Sequence, residues 1–165
     1  STSTSTSTSS TTTTTLPAGF TTYSQDLFTL SYPETWSENP DFPGFGVGFV
    51  EDHIALALPS TTFEVSLEQQ EPDFDLDAHI QRIKDDLALF VPDFRVLDSG
   101  DQTIDGVRSS WFVYSEEFDG FPIVIREQAA LRDDLLTTFT LISPVEFFEF
   151  DQGQAATVIE SFRFS

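Results

Sequence analysis

A chain of 165 residues with 28 acidic against 7 basic side chains carries a formal charge of -21, so no basic stripe exists to neutralise phosphates and nucleic acid is excluded as a partner. With no cysteine at all, disulfides, thiolate metal sites and cysteine nucleophiles are excluded too. The same composition would read as disordered but for an aromatic content of 14%, with 18 phenylalanines, which supplies the material for a core.

The acids are spread over the body of the chain, and the bases are six arginines and one lysine, Lys84. Self-repulsion of this size opposes a compact state in dilute buffer, but at molar salt the screening length falls to about 3 Å and the penalty largely disappears. The composition therefore points to a halophile.

Residues 1–15 are only Ser and Thr, a low-complexity tract with nothing to bury, which reads together with residues 16–18 as a tether of the O-glycosylated stalk type. Fully extended, the tract reaches about 50 Å, and Thr11, Thr12, Thr13, Thr14 and Thr15 are its candidate glycosylation sites. The chain starts at Ser1 without methionine, so an upstream signal or lipid anchor is expected, and any membrane contact would run through that anchor. The remaining residues, 19–165, are one domain of ordinary size.

Leu16-Pro17-Ala18-Gly19 marks the boundary, and short strands are expected at 20–23 and 27–32. In the second, Phe28, Leu30 and Tyr32 alternate with Thr29 and Ser31, Pro33 ends the ladder, and Trp36 lands at the sheet edge as a lid over the core. A Pro- and Gly-punctuated loop at 39–46 carries Phe42 and Phe45, the candidate partner contacts. Strands are expected near 46–51, 54–58 and 62–68, antiparallel because their connections are too short for crossovers.

Over 75–90 the period changes to that of an amphipathic helix, with Leu76, Ile80, Ile83, Leu87 and Phe90 in one stripe. A four-strand meander follows at 94–104, 107–117, 121–131 and 135–142, its first two turns Asp105-Gly106 and Asp119-Gly120 carrying the type I′ signal. Ser143-Pro144-Val145-Glu146 has the spacing of a capping box with proline at the first helical position. The last helix then buries Ala155, Val158, Ile159 and Phe162.

The Tyr32-Pro33-x-x-Trp36 ending of an aromatic strand, with a final helix closing on Ser161-Phe162, resembles the PsbP-like superfamily. That group covers the photosystem II extrinsic protein, a Ran-binding transport factor and small bacterial and archaeal lipoproteins. The resemblance implies an α+β fold, an antiparallel sheet of about six to eight strands flanked by two helices as an α/β/α sandwich. It also implies an accessory role through protein contacts.

Motifs of chemistry fail one by one. His53 and His79 have no companion at ligand spacing. Asp73, Asp75 and Asp77 begin like a calcium loop, but its sixth and twelfth positions hold Ala78 and Lys84 instead of Gly and Glu. Gly44, Gly46 and Gly48 lack the following helix of a dinucleotide site. The expectation is a module with no catalytic, cofactor or metal site, extracellular and tethered to the surface of a halophilic archaeon, acting through protein or glycan contacts. The alternative is a structural subunit of a filament or surface assembly, self-associating with the Ser/Thr tract as connector. Because the charge sets the first of these expectations, the melting temperature should rise steeply between dilute and molar KCl. A melting temperature flat across that range, followed by circular dichroism, contradicts the halophilic reading.

Overall fold

The computed structural model describes residues 16–165. The Ser/Thr tract, and with it Thr11, Thr12, Thr13, Thr14 and Thr15, lies outside the described residues. Two antiparallel sheets and two helices make up an α+β sandwich. A small sheet pairs β1 (Phe20–Gln25) and β10 (Arg163–Phe164) on either side of β2 (Phe28–Pro33). The large sheet contains β3 (Ser37–Glu38), β4 (Gly46–Glu51), β5 (Thr61–Gln69), β6 (Asp98–Ile104), β7 (Val107–Phe118), β8 (Phe121–Arg132) and β9 (Leu135–Pro144). Its order is β3-β4-β5-β9-β8-β7-β6, so the expected meander forms one half and β9 pairs back onto β5.

Each face of the large sheet is covered by one helix. α1 (Leu76–Phe90) lays Ile80, with Ile83 and Leu87, on Phe112, Tyr114, Ile123 and Ile125. Its start is set by Asp75, whose side chain accepts the Ala78 N–H at 3.0 Å, so one member of the failed calcium-loop run serves as a helix cap. α2 (Phe148–Ser161) and the small sheet cover the opposite face, where Phe63, Val65, Phe139 and Leu141 meet Phe28, Leu30, Val158, Ile159 and Phe162. The face of β7 that carries Phe112 and Tyr114 is thereby roofed by α1.

The two stretches that carry the family resemblance touch each other. Phe162 stacks on Phe28 at 5.1 Å and meets Phe139 edge-on at 5.1 Å, so one ring joins the small sheet to the large one. Beside it, the Ser161 hydroxyl accepts the Ser31 N–H at 2.7 Å and bonds the Val158 carbonyl at 2.7 Å. Trp36 is 4% exposed, with Phe63 at 5.5 Å and Phe49 at 6.3 Å, which is the lid expected of it. Trp111 is only half-buried, held between Gly100 and the Arg126 guanidinium, 4.1 Å from its ring.

Several boundaries differ from the sequence reading. No strand forms at 54–58: the Asp52 carboxylate accepts the Ile54 N–H at 2.6 Å and turns the chain into one 3-10 turn, Ile54–Leu56, closed by Ala57 at φ 53. The alternation of Ile54 and Leu56 looked like a strand, yet both side chains are exposed. Residues 94–97 precede β6 instead of belonging to it. The capping box at Ser143 does not form either; Pro144 ends β9, α2 begins at Phe148, and the Ser143 hydroxyl is spent on Asp151. The two-residue strands β3 and β10 have no sequence signal. At the meander turns, Asp105 and Gly106, and Asp119 and Gly120, all have positive φ, as type I′ turns require.

Emptying a site of Trp36's size in a packed core costs about 3–5 kcal/mol. Trp36→Ala should lose stability in that range in chemical denaturation, and Trp111→Ala clearly less, because its ring is half in water. Equal losses would contradict the burial difference between the two rings.

Candidate interaction surface

The strand register brings four connections to one end of the large sheet. Glu51 of β4 faces Thr61 of β5, Ile123 of β8 faces Pro144 of β9, and Phe118 faces Phe121 across the β7–β8 turn. The end of α1 joins them, because the Leu97 N–H bonds the Val113 carbonyl at 2.8 Å just before β6. Exposed large hydrophobic side chains collect here: Ile54, Leu56, Leu89, Phe90, Val96, Leu97, Phe118, Phe121, Val145 and Phe150. Among the described residues only Leu16, Leu27 and Phe45 are exposed elsewhere. A gathering of this kind is the surface feature that marks interaction sites, whereas single exposed hydrophobics are ordinary.

The exposure is not marginal. Phe90 is 81% exposed and Phe118 57%, the last residues of α1 and β7. Between the α1–β6 connection and the β7–β8 hairpin lies an open cleft of about 980 Å³, lined by Phe90, Pro92, Asp93, Arg95, Ser115, Glu116, Glu117 and Pro122.

A buried polar network anchors this end. Asp151, in the first turn of α2 and 1% exposed, accepts the hydroxyl protons of Thr61 and Ser143, both at 2.6 Å. With its one proton committed to Asp151, Thr61 can only accept from His53 Nε2 at 2.8 Å, which fixes the proton of His53 on that nitrogen. His53 in turn stacks on Phe147 at 4.5 Å. The network ties the 52–60 loop to the β9–α2 turn, so Ile54, Leu56 and Val145 are displayed from a braced frame. The sequence offered His53 no companion at ligand spacing, and it gave no sign of this network: Thr61 lies 90 residues from Asp151, and the spacing at Ser143 pointed to a helix cap.

The α1 side of the sheet holds a second polar feature. One row across the strands runs Gly48, Glu64, Thr140, Glu127, Phe112. Phe42 lies on Gly48, and the Lys84 ammonium sits 5.1 Å from the Phe112 ring, so two carboxylates and a threonine form a floor between a loop and a helix. Thr140 donates to Glu127 at 2.8 Å. Burial, with the Glu64 charge adding to it, pushes the Glu127 carboxyl up to about 7, and burial raises Glu64 as well. Period-2 alternation in β5, β8 and β9 placed these residues on one face, but only the register aligns them.

Of the two sequence-nominated contacts, Phe42 is half-buried and folded onto Gly48, while Phe45 is exposed at the opposite end from the apolar cluster. His79 accepts from Arg82 at 3.0 Å, and burial, then the Arg82 charge, lowers its pKa. Asp77 pairs with Arg108, which also holds Asp101. Among the described residues no three His, Asp or Glu side chains come together as a metal-binding group.

No protein-family model matches the sequence, and no curated protein resembles it in sequence. Solved structures do match in fold. LpqN of Mycobacterium tuberculosis, described as involved in cell envelope biogenesis, aligns over 84% of this chain and 83% of its own, with 15% identity and a TM-score of 0.68. The cyanobacterial PsbP of Synechocystis aligns over 90% of this chain and 94% of its own, at 18% identity and 0.62. The yeast Ran-binding protein Mog1p aligns over 87% and 94%, at 13% identity and 0.60. The chain has the PsbP-like fold.

The Glu127 shift has a testable sign. A carboxyl whose folded pKa is raised contributes stability in its protonated form, fully present below the unfolded value of 4.5 and lost as pH rises through about 7. Glu127→Gln should therefore match the wild type in mild acid and exceed it above neutrality, by on the order of 2 kcal/mol once partial solvent screening is allowed for. Denaturation curves at several pH values check this, and a difference independent of pH contradicts it.

Proposed function

We propose that the protein is a non-catalytic accessory module that binds a protein partner through the apolar end of its large sheet. In this reading it works outside the cell, held at the surface of a halophilic archaeon by its Ser/Thr-rich tract in the manner of a lipoprotein. The observation that carries the binding role is the collection of exposed hydrophobics, Phe90, Phe118, Phe121 and Ile54 among them, on four connections at one end.

Further support comes from how that end is held. A surface displayed by a braced frame loses less conformational freedom on binding than one on loose loops, and the Asp151 network supplies the brace. The fold relatives fit the reading in what their names say: one is Ran-binding, another is involved in cell envelope biogenesis. The surface location rests on the Ser/Thr tract, and the halophilic setting on the charge of -21.

The reading is tested by site-specific photocross-linking in the envelope fraction of the source cells at their native salt. A photoreactive phenylalanine analogue at position 121 should give one discrete protein adduct, and the same analogue at position 45 none. Adducts of equal pattern from both positions, or none from either, would overturn it.

A further inference from the structure

We propose that the cleft beside Phe90 receives a cationic side chain from a basic amphipathic segment of the partner, whose apolar face lies on Phe118, Phe121 and Val145. The proposal rests on the reading of this end as a protein-binding surface, and adds the chemistry of what binds there.

The cleft combines two groups that attract a cation. One is the ring of Phe90, 81% exposed and part of the cleft lining, because an aromatic ring attracts an ammonium or guanidinium. The other is a set of three carboxylates, Asp93, Glu116 and Glu117, on the same walls. A lysine or arginine entering there can form charge-assisted hydrogen bonds while its methylenes cover Phe90 and Pro122. Among the described residues the ion pairs are those of Arg108 with Asp77 and Asp101 and of Arg163 with Asp105, so none of the three cleft carboxylates is engaged. Arg95 is the one cation on the lining.

Apolar area and charge together choose the occupant. Phe118, Phe121 and Val145 lie next to the cleft, since the Val145 N–H bonds the Pro122 carbonyl at 3.2 Å and Phe118 pairs with Phe121. A helix with an apolar stripe and a basic flank satisfies both parts at once. A second copy would bring the same carboxylates and a charge of -21 against them, and an anionic membrane surface would be repelled likewise. At molar salt long-range attraction is screened within about 3 Å, but a cation in contact with carboxylates inside a cleft is screened far less than one in open solvent.

The test uses the full chain and three labelled synthetic peptides that share a leucine face and differ in the polar face: lysine, glutamine or glutamate. Fluorescence anisotropy in molar KCl should show the lysine peptide binding roughly tenfold tighter than the glutamine one, about 1.4 kcal/mol, and the glutamate peptide not at all. The Phe118→Ser and Phe121→Ser double variant should weaken the lysine peptide at least tenfold, with Phe45→Ser without effect. Glu116→Gln with Glu117→Gln should reduce the lysine peptide towards the glutamine one. Unchanged melting curves establish that these surface variants fold.

Equal binding of the lysine and glutamine peptides, lost in the Phe118/Phe121 variant, removes the cationic partner but leaves the apolar end as a docking surface. Lysine-peptide binding that vanishes at molar KCl and ignores that variant is general attraction to a polyanion and overturns the proposal, as does the absence of binding by any peptide. Self-association in sedimentation that the Phe118/Phe121 variant abolishes assigns the end to a second copy and overturns it as well.

Discussion

The joint between the C-terminal end of α2 and the two sheets is built on one ring. Phe162, fully buried, stands between Phe28 of the small sheet and Phe139 of the large one, and without it the two sheets share no aromatic contact at that point. Ser161 locks the same junction from the polar side by accepting the Ser31 N–H. A helix end is a good place for such a joint. Its last carbonyls need partners and its cap residue is free to turn into an extended conformation, which Phe162 does at φ -62, ψ 132. The chain can then continue directly into β10, which pairs with β2 and closes the small sheet.

Clamping the small sheet there has a consequence at the far end. With α2 fixed at its C-terminus by Phe162 and at its N-terminus by Asp151, the helix spans the face of the large sheet as a rigid strut. Burying a carboxylate is costly unless it is hydrogen-bonded, and the two hydroxyls from β5 and β9 meet that need. They also fix where the β4–β5 and β9–α2 connections leave the sheet.

Much of this was legible in the sequence, for identifiable reasons. The helix over Leu76–Phe90 was clear because five apolar residues keep one stripe, and the meander because Asp-Gly turns demand left-handed backbone. Phe28 and Leu30 were placed correctly by alternation, and Trp36 by its size and its position just beyond Pro33. What escaped was whatever local pattern could not decide. Ile54 and Leu56 alternate like a strand, but one carboxylate, Asp52, captures a backbone N–H and turns the chain. Ser143 to Glu146 has capping-box spacing, but Ser143 serves a partner eight residues on. The apolar end escaped for a different reason: its members come from four separate connections, and only strand register makes them neighbours. The flanking of Asp119-Gly120 by Phe118 and Phe121 was the one local hint, since a hairpin tip has nothing beneath it to bury two phenylalanines.

The charge and the apolar end belong to one physical argument. High salt lowers the cost of carboxylate crowding by screening it, and salting-out ions also strengthen the drive to bury apolar surface. In the proposed high-salt setting, acid spread over the body would keep the protein soluble, and an uncovered cluster such as Phe90, Phe118 and Phe121 would be more adhesive than in dilute buffer. Such a cluster persists without aggregation only if its surroundings repel most comers. Asp93, Glu116, Glu117, Asp119, Glu146 and Glu149 lie among these apolar residues on the same connections, and they repel other acidic proteins at contact range, where screening is incomplete. If the protein works among acidic neighbours, as proposed, selectivity at this end would come from rejection: the apolar residues would supply attraction that any partner could use, and the carboxylates would decide which partners approach closely enough to use it.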